Sequence, residues 1–118
     1  MAYEFSGLVP ELRPFAELLI AVASDAGLNP KVTSTRRSYG TQKRLYLAYL
    51  QGRSPYPAAP PGFSPHQYGW AFDLVVNDDS AYSELGALWT SWGGSWGGRY
   101  RDPIHFELPG ATEALRSS

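Results

Sequence analysis

Cysteine is absent from the chain. Disulfides and thiolate metal ligands are therefore excluded, and the redox compartment cannot be read from the composition. Any bound metal must rest on His, Asp or Glu. Histidine is scarce too, since His66 and His105 are the only two. No sign of charge dominates: ten basic residues stand against eleven acidic ones, a formal net charge of -1. Long-range attraction to nucleic acid or to an anionic membrane is thus not expected to be the main business of the protein. No stretch approaches the ~20 apolar residues that a membrane span requires. The N-terminus lacks a basic patch followed by an apolar run, so no secretory signal is expected. Internal repeats and low-complexity segments are missing as well.

What remains is 118 residues, enough for one domain, residues 1–118, with its own core. Eight tyrosines and four tryptophans dominate the aromatic content; such side chains line sugar or peptide grooves and also fill cores. From Pro10 to Ala26 the positions Leu12, Phe15, Leu18, Leu19, Val22 and Ala23 recur at helical spacing, with Pro14 as a first-turn residue and Gly27 as the stop. Lys31–Thr35 reads as a short strand. A second helix is expected over Thr41–Gln51, with Leu45, Tyr46, Tyr49 and Leu50 as its apolar face and Gly52 at its end. Arg53–Pro65 carries five prolines and reads as an irregular loop. Tyr68–Val76 alternates like a strand, with Phe72 and Leu74 on one face and Ala71, Asp73 and Val75 on the other. Ser80 is the expected N-cap of a third helix that buries Tyr82, Leu85, Leu88, Trp89 and Trp92. Gly93–Gly98 reads as a loop or bent strand, Ile104–Leu108 as a final strand, and the tail after Pro109 as loose. The pattern predicts an α+β domain with a small, mainly antiparallel sheet and helices packed on one side.

Two clusters carry chemistry. The first runs from Ser64 to Asp73 and holds His66 and Asp73; the second runs from Asp102 to Glu107 and holds His105. Two imidazoles and a carboxylate are the three-ligand set of a catalytic zinc site whose fourth position stays open. The seven-residue spacing of His66 and Asp73 does not suit one helix, because two turns separate them too widely. A loop-to-strand arrangement brings them together, with Gly69 letting the backbone turn back. His105 then joins from a neighbouring strand, which puts the site in the sheet cleft. The alternative is a buried Asp73 paired with an arginine and two surface histidines. Asp102, three residues before His105, is placed as a general base or as a plain turn residue before Pro103. Glu107 shares a face with His105, as a rival base or as a partner that orients the histidine. Arg36 or Arg37 offers a fork of donors for a carboxylate or an oxyanion. Ser64 is near the site or simply loop chemistry. Such an N/O donor set suits zinc among the divalent ions.

Ser64-x-His66-x-x-Gly69-x-Ala71-x-Asp73 resembles the S-x-H-x-x-G-x-A-x-D signature of the LAS-type zinc peptidases, in their D-alanyl-D-alanine carboxypeptidase (VanY-like) branch. Asp102-x-x-His105 resembles the second motif of that family, and Arg37-Ser38-x-x-x-Gln42 resembles its arginine segment. Trp92-Gly93-Gly94-x-Trp96 followed by Asp102-Pro103-x-His105-Phe106-Glu107 is most similar to phage endolysins that cut the L-alanyl-D-glutamate bond of peptidoglycan. The resemblance implies Zn2+ on His66, Asp73 and His105, Asp102 as catalytic acid/base, and Arg37 as a catalytic and substrate-binding residue. It places Gln42 and Ser64 at the substrate and leaves Glu107 a supporting role. It implies a monomer whose partner is the peptidoglycan stem peptide. Such a protein is made in a host cytoplasm and reaches the wall by holin-type release or as a virion component. A D-alanyl-D-alanine carboxypeptidase or dipeptidase, and a non-catalytic wall-binding virion module, are the competing expectations.

Overall fold

In the computed structural model, which describes residues 5–116 apart from the side chains of Arg99 and Tyr100, helices and short strands alternate along the chain. Helix α1 (Arg13–Asp25) starts with Pro14 in its first turn, where the missing N–H is no loss. It ends where Gly27 N–H donates to the Ser24 carbonyl and Leu28 N–H to the Ala23 carbonyl, a Schellman pairing. Leu12, Leu19 and Ala23 are buried as expected, together with Ala16 and Ile20. Phe15, Leu18 and Val22 lie instead on the exposed flank, because the stripe facing the sheet is narrower than the apolar pattern.

Strands β1 (Lys31–Ser34), β2 (Ala71–Val75), β3 (Ser95–Trp96) and β4 (His105–Glu107) form one antiparallel sheet in the order β1-β2-β4-β3. The register pairs Phe72 with Phe106 and Asp73 with His105. Phe72 and Phe106 stack at 5.6 Å between ring centroids, and Trp89 meets both edge-on. They join α1 and helix α3 (Tyr82–Ser91) in the core. Asp73, His105 and Glu107 occupy the other face of the pleat. Each buried phenylalanine contributes roughly 1.5–3 kcal/mol. A one-residue slip would expose both rings and drive Asp73 into the core, so the same register that builds the core builds the site.

Several expected boundaries shift. Helix α2 (Tyr39–Leu50) begins earlier than Thr41, because Ser38 Oγ accepts the Thr41 N–H at 3.1 Å. Its apolar residues Leu45, Tyr49 and Leu50 are exposed, and Gln42 is the residue it buries. The inward side of this helix is thus polar and faces Arg37. The strand expected from Tyr68 starts at Ala71. Pro65, at the first position after the Ser64 cap, opens a 3-10 turn over Pro65–Tyr68, which ends at Gly69. Ser80 does not cap α3: it lies in a 3-10 turn over Asp79–Ala81 that Asp78 caps, its carboxylate accepting the Ser80 N–H and hydroxyl at 3.0 and 2.7 Å, and α3 follows from Ala81 with no side-chain cap. The tail after Pro109 is not loose, since helix α4 (Ala111–Arg116) follows it. Gly110 N–H donates to Ser95 Oγ at 2.9 Å and Ala111 is buried, which ties α4 to β3. No helix among the described residues is long and apolar enough to cross a membrane.

Candidate metal centre

His66 sits in the 3-10 turn, and four contacts set its place. Ser64 Oγ accepts its N–H at 3.3 Å, and its carbonyl accepts the Arg37 N–H at 2.9 Å. Its Nδ1 lies 2.8 Å from the Thr35 carbonyl, and its Nε2 lies 3.1 Å from Asp73 Oδ1. Gly69 lets the chain reverse after this turn with φ +72°; a Cβ there would lie 2.4 Å from the Gly7 carbonyl oxygen.

His105 comes from β4, directly across the register from Asp73. Its Nδ1 is 3.5 Å from Asp73 Oδ1, and its Nε2 is 2.6 Å from Glu107 Oε1. The other oxygen of Asp73, Oδ2, accepts from Arg37 Nη2 at 3.0 Å. Asp73 is therefore paired with an arginine and also faces both histidines. Ligand atoms of His66, Asp73 and His105 all lie within 4.8 Å of one another.

The donor chemistry of this trio calls for a cation. The Thr35 carbonyl can only accept, so Nδ1 of His66 carries hydrogen and a neutral ring presents its Nε2 lone pair to Asp73. Glu107 likewise accepts from His105 Nε2, which turns the Nδ1 lone pair of a neutral ring to the same carboxylate oxygen. Two lone pairs and an anionic oxygen repel unless a proton or a metal ion lies among them. Without a metal the proton takes that place. Burial opposes the charged imidazole of His105, but hydrogen bonds to Asp73 and Glu107 and their charge raise its pKa to about 9. Burial likewise disfavours the Asp73 anion, yet hydrogen bonds from His105 and His66 hold its carboxyl well below the usual range. The residues present thus fit a divalent ion held by two nitrogens and one oxygen.

Asp102 stands beside the trio, half-buried, within electrostatic reach of His105, Asp73, His66 and Arg37. Burial pushes its carboxyl above the ordinary range; His105 pulls it back, and the charge of Asp73 adds to the rise. The backbone that presents it is tight: Asp102 N–H donates to the Gly97 carbonyl and His105 N–H to the Asp102 carbonyl. A Cβ on Gly97 would sit 2.4 Å from the Asp102 carbonyl oxygen and 2.8 Å from His105 Cβ. Gly97, in the segment read as a loop or bent strand, thus packs directly against Asp102 and His105.

Arg37 is held from three sides, by Ser34 Oγ at 3.1 Å, Gln42 Oε1 at 3.2 Å and Asp73. A β-bulge between Val32 and Ser34 brings Ser34 opposite Asp73. Gln42 also donates to the Ala59 carbonyl at 2.8 Å, and Ser64 is occupied by the His66 N–H. Both are buried behind Arg37 and His66. Arg36 points elsewhere, to the carbonyls of Gly7 and Tyr68. Glu107, on the face of His105 as its alternation requires, is the partner that fixes the ring. Sequence reasoning missed the Thr35 carbonyl and Thr112, which holds Glu107; nothing local marks a carbonyl or a distant hydroxyl as a partner of a histidine.

Comparisons with known proteins bear on the family and the fold. Residues 7–98 match the family profile VanY, D-alanyl-D-alanine carboxypeptidase; they include His66 and Asp73 and stop before Asp102 and His105. A search of curated proteins finds no significant match. Among solved structures, the LdcB LD-carboxypeptidase superposes with TM-score 0.68 at 25% identity, over 95% of this chain and 72% of that one. The vancomycin-resistance D,D-pentapeptidase VanY, solved as a variant with Zn(II), gives 0.66 at 20% identity over 93% and 76%. The L-Ala D-Glu endopeptidase ChiX of Serratia marcescens gives 0.66 at 20% identity over 90% and 84%. With residues 7–98, most of the chain, matched to that profile, the chain belongs to the VanY family of peptidoglycan peptidases, and it is an enzyme of the hydrolase class.

Proposed function

We propose that the chain is a zinc-dependent peptidase that hydrolyses an amide of the peptidoglycan stem peptide, the L-alanyl-D-glutamate bond, in the manner of a phage endolysin. The observation that carries this reading is the convergence of His66 Nε2, Asp73 Oδ1 and His105 Nδ1, with both ring tautomers set by Thr35 and Glu107. These three residues would hold the zinc ion, which supplies Lewis-acid polarisation of an amide carbonyl and lowers the pKa of water.

The rest of the chemistry lies with side chains of the chain itself. Asp102 takes the proton from the attacking water and returns it to the leaving amine; it stands within electrostatic reach of His66, Asp73 and His105. Three of the five N–H bonds of Arg37 are committed to Ser34, Gln42 and Asp73. The other two are offered to the substrate, to a carboxylate or to the oxygen on which negative charge develops. Gln42 and Ser64 serve the substrate indirectly, by holding Arg37 and His66. The protein acts on the wall as a monomer, after holin-type release or as part of a virion.

The choice of bond rests on the Trp92–Trp96 and Asp102–Glu107 segments, which resemble endolysins. The family profile favours a second reading, removal of a terminal D-alanine. Digestion of purified muropeptides followed by mass spectrometry separates the two. A new N-terminal D-glutamyl peptide supports the endopeptidase, and free D-alanine supports the carboxypeptidase. Stoichiometric wall binding with no cleavage by zinc-loaded protein would leave only a binding module.

A further inference from the structure

Helix α4 lies beyond the second histidine, outside the residues that match the family profile. Its first turn nevertheless reaches the metal centre. Thr112 N–H donates to Glu107 Oε2 at 2.7 Å, and Thr112 Oγ–H donates to Glu107 Oε1 at 2.6 Å. That same Oε1 receives His105 Nε2–H at 2.6 Å. Glu107 is buried, its backbone carbonyl accepts Trp89 Nε1–H at 3.0 Å, and both carboxylate oxygens are occupied. The carboxylate therefore has no freedom to swing away from His105. The helix is fixed at its start by Gly110 N–H on Ser95 Oγ and by buried Ala111. It also lies against the 3-10 turn that carries His66. One short helix thus braces both histidine-bearing segments.

We infer that Thr112 is a positioning residue of the metal centre: it clamps the Glu107 carboxylate so that His105 donates through Nε2 and turns Nδ1 toward Asp73. The relay runs from Thr112 through Glu107 to His105, and nothing in it touches substrate. It rests on the metal-site reading under Proposed function but not on which bond is cut. Outer partners of a ligand histidine change metal affinity by about 10–100-fold when removed. Position 112 keeps its backbone N–H when Thr is replaced by Val or Ser, so losing the hydroxyl falls at the lower end of that range.

The test compares wild type with Thr112→Val, Thr112→Ser and Glu107→Gln. Zinc affinity of metal-stripped protein is read by competition with a chromogenic chelator, and the visible absorption of the cobalt-loaded forms is recorded. Thr112→Val should bind zinc about tenfold more weakly, with an altered cobalt spectrum, while Thr112→Ser restores both. Glu107→Gln should weaken binding at least as much, and it decides the relay should Thr112→Val not fold. A folded Thr112→Val with wild-type affinity and spectrum would overturn the inference and leave the metal site standing. A Glu107→Gln variant that binds zinc as wild type does would overturn it as well. Wild type with no measurable zinc affinity would overturn the site itself.

Discussion

Asp73→Asn in metal-stripped protein isolates the charge at the middle of the site. The substitution preserves shape and removes the anion on which His66, His105 and Arg37 converge. Breaking a buried charge pair typically costs about 3–5 kcal/mol, because the partner is left uncompensated. A second route to the magnitude uses His105, whose pKa rises from 6.5 to about 9. That rise corresponds to on the order of 3 kcal/mol, shared between Asp73 and Glu107. Because the two figures describe overlapping interactions, they are not summed. At about 2.1 cal/mol/K per residue, a chain of 118 residues loses about 4 °C of Tm per kcal/mol. At the lower of these magnitudes, about 3 kcal/mol, Asp73→Asn should lower Tm by about 12 °C at pH 6. The penalty should shrink with pH. A histidine whose folded pKa is raised stabilises fully below its unfolded value near 6.5, and that contribution is lost as pH rises through about 9. Wild type loses stability across that window and Asp73→Asn loses less, so at pH 10 the gap should narrow to what the Arg37 pairing contributes. Thermal unfolding by circular dichroism at both pH values, with chelator present, measures it. An equal gap at pH 6 and pH 10, or no gap at pH 6, would refute the reasoning.

Asp102→Ala should keep zinc affinity within a few-fold of wild type and lower stem-peptide turnover by about 10²–10⁴-fold, read by metal titration and muropeptide digestion on one sample; full activity would remove Asp102 from the base role. Gly97→Ala should lower both Tm and zinc affinity, since a methyl 2.4 Å from the Asp102 carbonyl oxygen must displace the turn that carries Asp102 and His105. Overpacking of this kind costs about 1–3 kcal/mol, or about 4–12 °C on the scale above, and calorimetry that finds no change would remove Gly97 from the site. Chelation should remove the stabilisation that bound zinc gives wild type, which grows with the logarithm of zinc concentration over Kd and reaches about 2.7 kcal/mol at a hundredfold excess, or about 11 °C of Tm on the scale above, and should leave the Tm of His66→Ala unmoved.

The parts of this site legible in the sequence were those set by period-two alternation and by short spacings. Phe72, Asp73 and Leu74 declare which side of β2 faces the core, and His105 and Glu107 declare their shared face. What stayed hidden depends on contacts between distant segments. The apolar residues of α2 carry a helical pattern, but pattern alone does not say that a core lies opposite, and Leu45, Tyr49 and Leu50 meet none. The tail reads as loose because Pro109 and Gly110 mark an ending. Six residues of helix are marginal alone; Ser95, Glu107 and the burial of Ala111 hold α4 in place. Ser80 reads as the cap of the third helix, but a short 3-10 turn capped by Asp78 precedes that helix and takes Ser80 into its own span. Asp73 was weighed as an arginine partner or as a metal ligand, and its two oxygens divide between Arg37 and the histidines.

The most direct measurement is anomalous scattering collected at the zinc edge from crystals of the wild-type protein grown with zinc. One peak bonded by His66 Nε2, Asp73 Oδ1 and His105 Nδ1, with Thr35 and Glu107 still on the far ring nitrogens, is the predicted result. Well-ordered crystals with no peak among those three side chains, or with zinc held elsewhere, would contradict the account.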